Sequence, residues 1–248
     1  MSWKVEQGER LDFDDVLIKP QSSNLSSRAD VVLTRKMTFM HSNRKWEGIP
    51  LMVANMDTTG TVEMCRALTP YKIITCLHKH YDVSDIPVDL DKDYYAVSTG
   101  TSTKDKEKLV QIMESLRPHF IVVDVANGYT LSFLEYCKEL RQDYPQVTII
   151  AGNVATPEMV ESLLKEGGVD IVKCGIGSGS VCTTRIKTGI GVPQLSVALE
   201  CGNAAEKNIG HIVSDGGCKT PGDIVKALGA GAHFVMLGGM MAGHEESG

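Results

Sequence analysis

No run of apolar residues in this 248-residue sequence approaches the length of a membrane span. The first residues, Met1-Ser2-Trp3-Lys4-Val5-Glu6, carry no apolar signal core. Those absences argue against a membrane partner and a secretory route. A basic surplus is also missing: 25 Lys and Arg stand against 31 Asp and Glu, for a formal charge of −6. Without that surplus, non-specific binding to nucleic acid is disfavoured. A phosphate ligand would have to be held largely by backbone N–H groups. The seven cysteines, at 65, 76, 137, 174, 182, 201 and 218, include no CxxC pair. An odd, scattered set reads as reduced thiols of a cytoplasmic protein, most of them small core residues. Finger-like zinc spacing is lacking, and His78 and His80 have no matching pair elsewhere.

What is present is a rhythm. Hydrophobic residues make up 42% of the chain, enough for a full core. From Ile49 onward short apolar runs alternate with longer amphipathic ones. Strands are expected near 50–54, 73–77, 94–98, 119–124, 147–151, 169–174, 211–214 and 233–237. Helices are expected at 60–69, 103–116, 130–143, 156–166, 195–207 and 221–229. The stretch after the second strand is short and contains Pro87, which disfavours a helix there. Apolar strands alternating with helices imply a parallel sheet in βαβ units, and eight of them imply an α/β fold of the (β/α)8 TIM-barrel type. Residues 1–48 form an N-terminal segment expected to pack on the barrel of residues 49–248. Within it, Val31–Phe39 has the composition of a hairpin arm, and Ser27-Arg28 reads as a solvated turn. No helix follows the eighth strand, so a barrel lacking its C-terminal closing segment is expected.

Polar residues gather where the strands end: Ala54-Asn55-Met56-Asp57, His78-Lys79-His80, Asp124-Val125-Ala126-Asn127-Gly128, Gly152-Asn153, Asp215-Gly216-Gly217 and Gly238-Gly239. In this fold that rim carries the active site. The sixth strand runs into Gly175-Ile176-Gly177-Ser178-Gly179-Ser180-Val181-Cys182-Thr183-Thr184-Arg185. Its glycines let successive N–H groups point at one anion, and Cys182 is the strong nucleophile of the loop. A structural turn beside an inert cysteine has the same sequence. Gly216-Gly217 and Gly238-Gly239 stand where such barrels bind phosphate, and Ser180 adds a hydroxyl. Asp215 suits either a ribose diol or a helix N-cap. Thr184 is placed to relay a proton, or is a plain loop hydroxyl. The carbonyls of Gly177, Gly179 and Cys182 suit either a monovalent-cation cage or an ordinary turn.

Taken together, Leu11-Asp12-Phe13-Asp14-Asp15-Val16-Leu17, Ala54 to Thr58, His78-Lys79-His80-Tyr81, Asp124 to Tyr129, Gly175 to Thr188, Ser214 to Cys218 and Phe234 to Met240 resemble the IMP dehydrogenase/GMP reductase family. The resemblance covers nearly the whole chain. Two features favour its reductase branch. Strands two and three are too close for the regulatory insertion of many dehydrogenases, and Lys187-Thr188-Gly189 and Ala242 to Gly248 read as in reductases. The resemblance implies reductive deamination of GMP to IMP and ammonia by NADPH, through a thioimidate on Cys182, with Thr184 as proton donor. It implies substrate contacts at Ser180, Asp215, Gly216, Gly217, Gly238 and Gly239. Cofactor contacts would fall on Lys79, Asp124, Val125, Ala126, Ile176 and Gly177. Ser27 and Arg28 would serve a neighbouring subunit of a homotetramer. A potassium-like cation would sit on Gly177, Gly179, Cys182 and Arg185. An IMP dehydrogenase without regulatory modules, or a purine-nucleotide-binding barrel without catalysis, are the alternatives.

Overall fold

The computed structural model describes residues 8–248. Strands β3 (Leu51–Val53), β4 (Ile74–Leu77), β5 (Tyr95–Thr99), β6 (Phe120–Asp124), β7 (Thr148–Val154), β8 (Ile171–Cys174), β9 (His211–Asp215) and β10 (Phe234–Leu237) form a closed barrel. Every pairing in it is parallel, and β10 closes on β3 through Val235 opposite Leu51. The helices α1 (Val62–Leu68), α2 (Thr103–Leu116), α3 (Leu131–Asp143), α4 (Pro157–Lys165), α6 (Gln194–Lys207) and α7 (Pro221–Gly229) alternate with the strands. This is the expected (β/α)8 barrel. A 3-10 turn, Val83–Asp85, stands where the proline-bearing segment disfavoured a helix. Helix α5 (Thr184–Thr188) was not expected: it is a single turn without apolar periodicity that stops on Gly189 in the left-handed region.

Side-chain alternation along the strands separates two cores. Met52, Ile74, Cys76, Ala96, Phe120, Val122, Ile150, Ile171, Val213, Phe234 and Met236 fill the barrel. Val97, Ile121, Val123, Ile149, Val172, Ile212 and Val235 face outward and meet helix residues such as Leu109, Phe133, Leu163 and Ala198. The helices begin where side chains accept orphan N–H groups: Thr61 caps α1, Ser102 caps α2 and Thr130 caps α3.

The N-terminal segment contributes an antiparallel hairpin, β1 (Arg35–Thr38) and β2 (Lys45–Gly48). Its strand is shorter than the Val31–Phe39 arm read from composition, because Val31, Val32 and Leu33 remain exposed and unpaired. Phe39 and Trp46 from this hairpin pack on Phe234, and Phe39 also meets Phe120 edge-on. These rings close the barrel at the N-terminal ends of its strands. Asp170, fully buried, fastens the hairpin turn: it accepts N–H groups from His41 and Ser42 and pairs with Arg141 at 2.6 Å. The other end stays open. There the last residues return toward the β3 exit, with Thr61 donating to the carbonyl of Glu246 and Gly248 to that of Thr58. Among the described residues, no helix is long and apolar enough to cross a membrane.

Candidate active site

A cleft of about 420 Å³ opens at the C-terminal ends of the strands. Its walls bring together Asp124, Val125 and Ala126 after β6, Asn153 of β7, Ile176 to Gly179 after β8, Cys182, Thr184, Asp215 and Gly216. A smaller hollow of about 70 Å³ adjoins it, bounded by Gly179, Ser180, Asp215, Gly216, Gly217, Gly238 and Gly239. The three strand exits read from sequence as a thiol and two glycine pairs therefore converge.

Glycine is required at Gly216, and at Gly239 it leaves room for a neighbouring hydroxyl. Gly216 has φ +97°, and a Cβ there would lie 2.5 Å from Ser178 Oγ and 2.9 Å from Gly179 N. A Cβ on Gly239 would come within 2.8 Å of Ser180 Oγ. Side chains at either position would crowd the hydroxyl-lined hollow, so their absence keeps backbone N–H groups accessible.

Cys182 is half-buried and its Sγ lies 3.2 Å from Thr184 Oγ1. That hydroxyl can donate to a thiolate. The Thr184 side chain, then its backbone N–H, hold the thiol below its ordinary pKa; partial burial opposes them and Arg185 assists. The other half-buried cysteine behaves oppositely, with burial pushing the Cys218 thiol up to about 12. Cys65, Cys76 and Cys137 are likewise raised by burial, as is Cys174. Against these five raised thiols, Cys182 is held below its ordinary value.

The loop that bears Cys182 is anchored from below. Arg185 donates to the carbonyl of Val192 at 2.6 Å and faces Asp12 at 3.4 Å. Asp12 in turn accepts the backbone N–H of Gln194, the first residue of α6. Gln194 donates to the Cys174 carbonyl and to Ser214 Oγ. The N-terminal segment thus fixes the thiol loop, a role that no spacing in the sequence announces.

Under the cleft lies a charged cluster that joins Asp124, Asn153 and Asp215, expected from the sequence at the strand exits, to Lys173, which sequence reading passed over. Lys173 is 5% exposed and points inward from β8. Its ammonium donates to Asp215 Oδ2 at 2.5 Å, Asn153 Oδ1 at 2.7 Å and Asp124 Oδ1 at 3.2 Å. Burial opposes its charge, but Asp215 and Asp124 outweigh burial and hold it above the usual lysine range. Asn153 donates to Asp215 Oδ2 at 2.8 Å, and Asn55 to Asp124 Oδ2 at 2.9 Å. The signal was strand parity: Ile171, Val213 and Phe120 point into the barrel, so Lys173, Asp215 and Asp124 do as well.

Not every expected residue reaches the cleft. Ser27 and Arg28 occupy an exposed 3-10 turn, where Ser27 Oγ accepts the N–H of Ala29. Lys79 is exposed beside the site; its charge acts on Asp124, and its carbonyl accepts from Lys108. Of the four carbonyls expected to cage a cation, those of Gly179 and Arg185 each accept a backbone N–H, from Cys182 and Gly189. Those of Gly177 and Cys182 accept none among the described residues.

Comparison with known proteins places this geometry in context. The family model described as IMP dehydrogenase / GMP reductase domain matches residues 10–248. A GMP reductase of Salmonella typhi is 53% identical over 253 residues, covering 99% of this chain and 72% of that protein. One from Shigella boydii serotype 4 (strain Sb227) is 52% identical with the same coverage. Among solved structures, an inosine 5'-monophosphate dehydrogenase from Legionella pneumophila superposes with a TM-score of 0.84 at 36% identity, over 97% of this chain and 72% of that one.

Proposed function

The chain belongs to the IMP dehydrogenase/GMP reductase family, and from that premise we propose that it is an NADPH-dependent GMP reductase. One observation carries the reading: Cys182, a thiol held below its ordinary value, lines the same cleft as Asp124 to Ala126, and that cleft shares Gly179, Asp215 and Gly216 with the hollow bounded by Ser180 and the two glycine pairs. Identity of 53% to a GMP reductase, against 36% to an IMP dehydrogenase, favours reduction over oxidation.

The GMP phosphate is held by Ser180 and the backbone N–H groups of Gly216, Gly217, Gly238 and Gly239. Asp215 accepts from the ribose diol; its bonds to Lys173 and Asn153 fall on Oδ2, so Oδ1 accepts none among the described residues. The Cys182 thiolate adds to purine C2, and the C2–N bond breaks as the amine leaves as ammonia with a proton that Thr184 relays from solvent, so a thioimidate joins sulfur to carbon. Bound NADPH supplies the hydride that this adduct requires, after which the C–S bond breaks and IMP is released. Asp124, Val125, Ala126, Ile176 and Gly177 line the side of the cleft that suits the cofactor. The cation Lys79 beside it, and Arg28 of a neighbouring subunit, suit a 2′-phosphate.

A homotetramer agrees with the exposed apolar side chains around Arg28, which include Leu17, Leu25, Val32 and Leu33. The carbonyls of Gly177, Gly179, Cys182 and Arg185 suit potassium only in part, since two of them already accept an N–H. Where potassium binds, these carbonyls tether the thiol loop.

The test is NADPH oxidation followed by absorbance with GMP present. Turnover with GMP and its loss in Cys182→Ala support the proposal. Reduction of NAD by IMP, without turnover of GMP, would convert the assignment to a dehydrogenase. Binding of GMP with no turnover in either direction would leave a binding barrel.

A further inference from the structure

Lys173 has more hydrogen-bonded charge around it than a barrel interior needs. Its three ammonium donors are matched by three acceptors on three different strands: Asp124 of β6, Asn153 of β7 and Asp215 of β9. The two carboxylates belong to opposite halves of the cleft, Asp215 beside the glycine hollow and Asp124 beside Val125 and Ala126. We propose that Lys173 is a positioning residue that orients both carboxylates and thereby couples the binding of the two nucleotides. The inference rests on the reading above, in which Asp215 meets the ribose of GMP and Asp124 meets NADPH.

The reason is electrostatic. Two carboxylates share one ammonium, so removing it leaves their mutual repulsion unopposed; burial raises Asp124, and Lys173 is the first of the groups that outweigh burial and hold it below its ordinary carboxylate value. A protonated carboxyl has lost part of its capacity to accept from a diol. Orientation follows from the same contacts. Lys173 and Asn153 occupy one oxygen of Asp215, and Lys173 and Asn55 take one oxygen each of Asp124. A hydrophobic side chain of lysine's size would leave each carboxylate held by one asparagine alone, Asp215 by Asn153 and Asp124 by Asn55. Charge sharing adds a linkage: a ligand that donates to the free Oδ1 of Asp215 draws charge from that carboxylate, loosens its hold on Lys173 at Oδ2 and so alters the hold on Asp124.

The other titratable groups that feel this trio are Lys79 at the rim and the thiols of Cys76, Cys174, Cys182 and Cys218. Of these, Cys76, Cys174 and Cys218 stay neutral well past pH 7 because burial raises them. Cys182 is removed as a variable by substitution with serine.

Binding is measured by calorimetry on the Cys182→Ser protein, with GMP and NADPH titrated separately. Lys173→Met is expected to weaken both by about 10- to 100-fold. It should also give GMP affinity a new pH dependence, rising with pH as the carboxylate pair loses a proton. Lys173→Arg should restore much of the affinity and remove that dependence. Asp124→Asn, which touches only the cofactor side, should still change GMP affinity through Lys173. Should Lys173→Met fail to fold, the Arg and Asp124→Asn arms decide. Unchanged GMP affinity in Asp124→Asn, or a folded Lys173→Met that binds both nucleotides normally without new pH dependence, overturns the inference. Failure of the parent protein to bind GMP would instead strike at the functional reading.

Discussion

Cys182 owes its character to a neighbour two positions along the chain. Thr184 stands on the first turn of α5, and a helical step brings its hydroxyl and N–H toward the sulfur. Alkylation by iodoacetamide should therefore track a thiol that ionises below the usual ~8.5. Thr184→Val should move the inflection of the rate–pH profile up and slow alkylation at pH 7 by about 5-fold. No change in that profile would mean the loop alone sets the thiol's acidity. Cys182 and Thr184 were legible as residue types, because a thiol and a hydroxyl after a glycine loop stand out. Lys173 was not, since one lysine inside Ile171-Val172-Lys173-Cys174 reads as an interruption of a buried strand until neighbouring strands supply its acids.

At the scale of elements, the barrel divides its labour between two ends. The open end carries the chemistry, and the hairpin end carries packing. Asp170 sits just before β8, the strand that carries Lys173, and holds the hairpin turn through His41 and Ser42 while pairing with Arg141 of α3. Asp170 also accepts the N–H of Ile149 at 3.0 Å, so its charge is fully engaged. Asp170→Ala leaves Arg141 without its buried partner and should destabilise the fold by about 3–5 kcal/mol. Urea denaturation measures that loss. The iodoacetamide profile of Cys182 in the still-folded protein should be unchanged; a shifted profile would show that the two ends are coupled. The strands and longer helices were readable because β-branched runs and helical periodicity persist over many residues. The hairpin and α5 were harder to delimit, as four- and five-residue elements lack room for a period.

Across the whole molecule, acid should act first at the closed end. Burial, then the neighbouring His233, lowers His211 to about 4, and burial also lowers His233. The two rings meet edge-on at 4.7 Å, and His211 packs on Phe39. A histidine held below its unfolded value of ~6.5 contributes stability fully above that pH and loses it as pH falls toward about 4. The loss for His211 is on the order of 3 kcal/mol. Denaturation curves between pH 7 and 4 should show it, and His211→Asn should flatten the slope. An equal slope in the variant would assign the acid loss to the carboxylates instead.

Residue order along the chain pointed to the barrel, since eight apolar runs alternating with helices make parallel strands covered on both faces, and a barrel of eight such units leaves no open edge. It also determined that a thiol, glycine pairs and an aspartate stand at strand exits. Only the tertiary structure decided which exits share one cleft, that Asp12 secures the thiol loop from far along the chain, and that Lys173 lies between two acids. Those facts depend on strand neighbours and register, which bring residues dozens of positions apart within hydrogen-bond reach. Local sequence carries no record of such distances, because the hydrophobic effect that closes the barrel is non-directional and leaves the pairing of polar groups to the final geometry.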